Sequence, residues 1–451
     1  MATIIKRGDK YSLVYNYKDR KGTTKQKWES FTTHKAALKR KAEVENEKLN
    51  GNFIAPSNTT LDDYWPTYVE LYGYKKWSVS TLQKNQSLYK TYISPYLGKH
   101  KMDTIRPLNI EQYYAKLRET KNVKGTGTVS TRVVAEIHRV LRCAFNVAVK
   151  WEYIPNNPFL KVDTPKHEYA KREIWNADQI AKALEVCEDP KISIAIQLAF
   201  ACSLRLGEVL GLTWDNVHIS DEDFVNDNTH IVVKQQLERV SAEALEKLDN
   251  KDVLFIFPKF AYSSQGNTRV VLKTPKTESS VRKVWLPSTL ATFLKQWKQQ
   301  QQEYKDFYGD EYHNFNMVVS QPNGLPCSQS LIRKGLEIIE KDANLPHVVF
   351  HSLRHTSTTY KLKLNHGDIK ATQGDTGHAQ ADMVMDLYSH ILDEDRKVNA
   401  QKFEDGFYRQ HMENYEEPKL TSKKLDVDAV LEKIKQDPEL LSQLIDILSK
   451  D

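Results

Sequence analysis

Cysteine is scarce in this chain. The four present, Cys143, Cys187, Cys202 and Cys327, are far apart and form no CxxC pair. That spacing argues against a disulfide framework and a structural zinc site, and it fits a reducing cytosol. Long apolar runs are missing as well. The most apolar stretch, residues 192–204, is broken by Ser193, Gln197 and Ser203 and is too short for a membrane span. The start, Met1-Ala-Thr-Ile-Ile-Lys-Arg7, has no apolar core of a signal peptide. No internal repeat is visible. Dense acidic clusters are absent too. The tightest, Asp221-Glu-Asp223, reads as a solvated loop between strands, which disfavours a metal-dependent nuclease.

What is present is unevenly spread. The net charge of the 451 residues is only +6, yet residues 1–51 hold 13 Lys and Arg against 6 Asp and Glu. One small N-terminal segment therefore carries the whole excess, and a polyanionic partner suits it. The length allows about three domains.

Residues 1–51 read as a small αβ unit. Strand formers fill 11–17 and 23–31 around the turn Asp19-Arg-Lys-Gly22, and a helix over 34–49 follows, capped by Thr32 or Thr33. Lys18, Lys21, Lys25 and Lys27 lie beside aromatics on this sheet and are candidate DNA contacts, although a small basic fold binding protein would read the same way. A Gly/Pro/Asn linker over 51–58 leads to a helical region, 60–157, with helices expected at 61–72 and 80–93 and a third capped by Asn109 and running to 118. The fourth is clearest: Val134, Ile137, Leu141, Ala144, Phe145 and Ala148 share one helix face, which needs helical partners. A third region opens with Asn176 capping 177–186, then a buried helix over 191–202 and a tight turn into Arg205-Leu-Gly-Glu208. Strands are expected at 231–234, 253–257, 269–273 and 282–286. Ser288 reads as the cap of a polar helix whose run Gln299–Gln302 faces solvent, and Trp214 reads as core. After Glu416-Glu-Pro-Lys, a terminal amphipathic helix opens at Asp437-Pro438 and would dock on its own chain or on a neighbour.

Residues that suit chemistry rather than packing gather late in the chain, in His351-Ser-Leu-Arg354-His-Thr, Thr376-Gly-His378 and Tyr388-Ser-His390. Arginine and histidine donate to phosphate oxygens, and a tyrosine hydroxyl can be a covalent nucleophile. With an ordinary pKa of about 10, that hydroxyl attacks a phosphodiester only if the phosphate charge is neutralised and the oxygen is held in line. Two guanidinium groups suit the task. Arg354 is one; Arg205, at a turn after a buried helix with Glu208 three residues on, fits as the second. A lysine can protonate the leaving oxygen. Lys276, in Thr274-Pro-Lys276-Thr-Glu-Ser-Ser280 between two strand patterns, is expected at a hairpin tip; Lys273 is its rival. His351 and His355 are spaced to share a metal, but no carboxylate or cysteine sits at ligand spacing, so no metal is expected.

Arg205 within LRLGEVLGLTW, Lys276 within TPKTESS, His351-x-x-Arg354, Gly377-His378 and Tyr388 occur in that order, and the order resembles the tyrosine recombinase (phage and conjugative-transposon integrase) family. The resemblance covers nearly the whole chain. It implies a mainly α fold with small β-sheets in three domains and a tail. These are an arm-type DNA-binding domain over 1–52 (a three-stranded sheet plus helix), a helical core-type DNA-binding domain over 59–160, a mixed α+β catalytic domain over 172–415, and a helical tail over 416–451. It further implies that Arg205 and Arg354 clamp the scissile phosphate and that Lys276 protonates the leaving 5′ oxygen. His351 would move a proton to or from Tyr388, His378 would donate to a phosphate oxygen, Tyr388 would become a 3′-phosphotyrosine, and Glu208 would brace the site. Neither ATP nor a metal or other cofactor is implied. The implied partners are double-stranded DNA with core-type and arm-type sites and a homotetramer assembled on it, together with an excision factor and a DNA-bending protein, all in the bacterial cytosol and away from membranes. One departure stands out: the family places Leu before Gly-His, and this chain has Thr376. A type IB topoisomerase and a non-catalytic DNA-binding relative are the alternatives.

Overall fold

The computed structural model describes residues 2–18, 22–50, 53, 58–123, 125–166, 173–259, 266–275, 280–365 and 368–376. All belong to one compact unit, residues 1–387.

The N-terminal unit is an antiparallel sheet, β1 (Ala2–Arg7), β2 (Lys10–Lys18) and β3 (Thr24–Phe31), in the order β1-β2-β3, followed by helix α1 (His34–Leu49). The α1 N-terminus is where the hydroxyl pattern places it, with Thr33 Oγ1 accepting from Ala36 N at 3.2 Å. Strand alternation sends Leu13 and Tyr15 into a small core with Ala2 and Val44 of α1. Tyr15 Oη donates to Glu29 Oε1 at 2.6 Å, and Arg40 of α1 donates to Glu29 Oε2 at 3.1 Å, so sheet and helix are pinned by one carboxylate.

The helical region contains α2 (Leu61–Tyr68), α3 (Val79–Leu88), α4 (Pro107–Glu119) and α5 (Thr131–Lys150). Helices α2 and α3 each run on into a wider π-helical stretch, Val69–Gly73 and Tyr89–Gly98, the second containing Pro95. Proline donates no N–H, and a widened turn is one way a helix accommodates it. Helix α4 starts at Pro107, earlier than expected. Asn109 is not its cap; its side chain, in the first turn, reaches back and accepts from Arg106 N at 3.0 Å. The apolar face of α5 is buried as its spacing requires, including Ile137, Leu141 and Phe145. Each such side chain contributes about 1.5–3 kcal/mol by leaving water.

The third region packs α6 (Ala177–Glu185), α7 (Pro190–Ala201), α8 (Leu206–Gly211), α9 (Asp221–Val225), α10 (Ala242–Lys247), α11 (Ser288–Tyr308), α12 (Gln329–Asp342), α13 (Phe350–Leu364) and α14 (Ile369–Thr376) around two small antiparallel sheets. One sheet is β4 (Val217–His218), β5 (His230–Val233) and β9 (Arg282–Trp285); the other is β6 (Gln236–Ser241), β8 (Thr268–Lys273) and β7 (Val253–Ile256), with β8 central. Val240 and Val271 of the second sheet and Leu245 of α10 share a core with the helical region. Ser241 N also donates there, to Gln83 Oε1 at 3.1 Å.

Three local expectations are corrected. Asp221-Glu-Asp223 is not a loop but the first turn of α9, capped by Ser220, because carboxylates favour a helix N-terminus. Ser288 does not cap α11; Pro287 holds that position. The glutamine run is not wholly solvent-facing. Gln301 is buried and donates to Val318 O at 3.1 Å and Ser320 Oγ at 2.8 Å, while accepting from Trp214 Nε1 at 2.7 Å. A buried amide needs such partners, and the long loop before α12 supplies them. Among the described residues no helix is long and apolar enough to cross a membrane.

Candidate active site

Helix α7 is buried almost all round and stops at Ala201. Ser203 then adopts a left-handed backbone, φ 54°, which turns the chain sharply into α8. Arg205 is the residue before that helix and Glu208 stands in its first turn. The Glu208 carboxylate accepts from Arg205 N at 3.0 Å and from Arg205 Nη1 at 2.8 Å. The far end of α8 lies directly on β6: a Cβ on Gly211 would sit 2.7 Å from the Gln236 Cα and the Leu237 N. The glycine in LRLGEVLGLTW is therefore a close-approach residue, which lets the helix carrying Glu208 rest on the sheet.

Two further arginines converge here. Arg282, on β9, donates from Nη2 to Glu208 Oε2 at 3.1 Å and from Nη1 to Glu208 Oε1 at 3.4 Å, across 74 residues of sequence. Arg354, in the first turns of α13, is 1% exposed, and its Nη1 donates to the carbonyl of Ser203. The same turn is tied to α13 again through Ser203 Oγ and Ser357 Oγ, 2.6 Å apart. Thr356 Oγ1 donates to Trp175 O at 2.7 Å, fixing the helix from the other side.

The described part of this cluster has three guanidinium groups and one carboxylate. Burial alone would raise the Glu208 pKa, but Arg282 and then Arg205 override it and hold the carboxylate below its ordinary value. Burial, then the charge of Arg205, push the Arg354 pKa down to about 9, with Glu208 opposing and Arg282 adding to the shift. Its guanidinium keeps its charge at neutral pH. The arrangement is an anion site: excess positive charge, partly desolvated, on a rigid turn.

His351 is exposed on the first turn of α13, three residues before Arg354, and its ring centroid is 4.6 Å from that of His355 at 87°. Among the described residues no group of three His, Cys, Asp or Glu side chains could hold a metal. Lys273 is not solvated. It is 4% exposed and paired with Glu238 across the β6–β8 ladder. Lys276, His378 and Tyr388 lie outside the described residues, as do Lys21 and the tail 416–451; of Thr376 only the backbone, at the end of α14, is described. The flanks of Lys276 are described, and they correct the expected hairpin tip. Strand β8 pairs with β6, whereas β9 pairs with β5. Lys276 thus falls in the span between two strands that continue side by side with β6 and β5, not at the turn of a β8–β9 pair.

The model of the phage integrase N-terminal SAM-like domain matches residues 60–118. The chain is 26% identical over 380 residues to the tyrosine recombinase XerC-like protein of Caldanaerobacter subterraneus, covering 82% of this chain and 88% of that protein. It is 23% identical to the ICEBs1 integrase of Bacillus subtilis, covering 72% and 77%. Its fold is similar to that of the Tn1549 transposon integrase solved with a circular intermediate DNA, at TM-score 0.57 and 18% identity, over 76% of this chain and 99% of that one. The chain resembles the tyrosine recombinases over most of its length. Its activity is that of a site-specific recombinase of the integrase type.

Within this recombinase the sequence reading named Arg205, Glu208, His351 and Arg354, and the fold brings Arg205, Glu208 and Arg354 to one turn. It missed Arg282, which looked like an ordinary strand residue; the only sequence signal is a charged side chain at an inward position between Val281 and Val284. The N-terminal lysines divide. The register Tyr15↔Lys27 and Tyr17↔Lys25 puts Lys25 and Lys27 on the face covered by α1, whereas Lys18 pairs with Thr24 on the open face. That open face also carries Arg7, whose guanidinium is 4.6 Å from the Trp28 ring, and Gln26, which accepts from Trp28 Nε1 at 3.0 Å.

Proposed function

We infer that the recombinase integrates and excises a mobile element, such as a prophage or conjugative transposon, by cutting and rejoining double-stranded DNA through Tyr388. The convergence of Arg205 and Arg354 around one buried carboxylate carries this reading, because two fixed guanidinium groups are what a tyrosine oxygen needs to attack a phosphodiester. In this reading Arg205 and Arg354 neutralise the scissile phosphate. Tyr388 displaces the 5′ oxygen and is left as a 3′-phosphotyrosine. Lys276 gives the leaving oxygen its proton, since Lys273 is committed to Glu238. His351 moves the proton of Tyr388, and His378 donates to a phosphate oxygen. The phosphate ester is conserved at each step, so strand exchange through a Holliday junction consumes no ATP.

The division of labour is 1–52 on arm-type sites, 59–160 on core-type sites, 172–415 for chemistry and 416–451 as a tail, with four protomers assembled on two duplexes. An excision factor and a DNA-bending protein are the expected accessories. The test uses a pool of nicked duplexes of randomised sequence incubated with the whole protein in EDTA. Wild type is expected to form a covalent protein–DNA adduct and thereby to select its own cleavage sequence; Tyr388→Phe is expected to form none. An adduct that survives Tyr388→Phe rules the mechanism out.

A further inference from the structure

We propose that Arg282 is a positioning residue of the recombinase, which occupies Glu208 so that this carboxylate orients Arg205 without neutralising it. The role rests on the phosphate-clamp reading of Arg205 and Arg354. Its basis is the way one carboxylate is shared. Glu208 has two oxygens. Arg282 donates to both, at 3.1 Å and 3.4 Å, and both partners are almost fully buried, with side chains 6% and 3% exposed. Arg205 takes a single side-chain bond, Nη1 to Oε1 at 2.8 Å, and its side chain is 37% exposed. One edge of the Arg205 guanidinium is thereby held, and the group stays half-accessible to an incoming phosphate.

Without Arg282 the balance changes. A buried carboxylate with one remaining cationic neighbour on the adjoining turn takes a second bond from it, since an uncompensated buried charge is costly. Arg205 would then face Glu208 with two nitrogens, in the fork geometry that guanidinium and carboxylate prefer, and would be lost to the phosphate. Arg282 also sits at a strategic place in the chain. It is the first residue of β9, six positions after Lys276, and its Nη1 donates to Ser280 O at 3.2 Å. The same side chain thus anchors the C-terminal foot of the span that carries Lys276 to the helix that carries Glu208. The other foot is held separately, by Thr274 N donating to Asp252 O at 3.0 Å.

The experiment follows adduct formation in single turnover on the nicked duplex that wild type selects from the randomised pool, with DNA concentration varied. Arg282→Met is expected to lower the maximal rate about 100-fold, the scale of losing one oriented donor, while the half-saturating DNA concentration stays within about threefold. Arg282→Lys restores the charge and is expected to recover part of the rate. The deciding variant is the double substitution Glu208→Gln with Arg282→Met. With no carboxylate left to capture Arg205, it is expected to outpace Arg282→Met alone by about tenfold. A merely structural arginine predicts the reverse, a double variant no faster than the single one, and that result overturns the proposal, as does an Arg282→Met enzyme at the wild-type rate. Melting curves of all variants check folding; if Arg282→Met fails to fold, Arg282→Gln, which also removes the charge, replaces it in both the single and the double variant. A wild type that forms no adduct on any duplex overturns the phosphate-clamp reading itself, and the role of Arg282 with it.

Discussion

Glu208 is a carboxylate with almost no exposure, in bonding contact with Arg205 and Arg282 and within the field of Arg354. Breaking a buried pair of this kind costs about 3–5 kcal/mol, because the surviving charge is stranded. Glu208→Gln should therefore melt well below wild type at neutral pH. The pH dependence has a definite sign. The folded pKa of Glu208 lies below the ordinary 4.5, so its contribution is complete above that value and is lost as pH falls through the folded pKa. Calorimetry of both proteins should show their difference in melting temperature constant from neutral pH to about pH 5 and shrinking below it. A difference that stays constant down to about pH 3 would contradict the ion-pair account of this site.

Elements were legible where one periodicity dominates. Helix α5 shows its buried face as a plain 3.6-residue repeat, and α1 begins one residue after the threonine pair that announces it. In the third region β5, β7, β8 and β9 were legible as strands, β4 and β6 were not, and no pairing was. Strands β8 and β9 are consecutive in sequence yet belong to different sheets, because each follows a different part of the nearly continuous β5–β6 run. Pairing is set by which strands can bury a common face, and no local pattern records it. The same limit hid which face Lys25 and Lys27 share, since the face covered by α1 depends on register. A measurable consequence follows. Neutralising Arg7 and Lys18 on the open face should each lower the slope of log binding constant against log salt on random duplex DNA by about 1. Neutralising Lys27 should leave the slope nearly unchanged, and equal effects from all three would mean that the open face is not the contact surface.

At the scale of the whole molecule, the charge excess of residues 1–51 and the arginine cluster of the third region sit in regions with separate cores. Removal of 1–52 should accordingly spare adduct formation on the selected nicked duplex. It should abolish, or reduce at least tenfold, recombination between complete attachment sites, measured by product joining on plasmids. Full recombination by the truncated chain would remove the arm-binding role.

By itself the sequence determined that this chain has a basic N-terminal unit, a helical middle and a late cluster of arginine, histidine and tyrosine in a telling order. These are local properties of composition, periodicity and spacing. Only the tertiary structure decided that Arg205, Arg282 and Arg354 meet at one carboxylate, that Lys273 is spent on Glu238, and that β9 is the strand which holds the clamp. The physical reason is that a buried ion pair joins positions 74 residues apart. Its attraction outweighs the cost of desolvation only in the geometry of the assembled turn, strand and helix, none of which exists in any one segment alone.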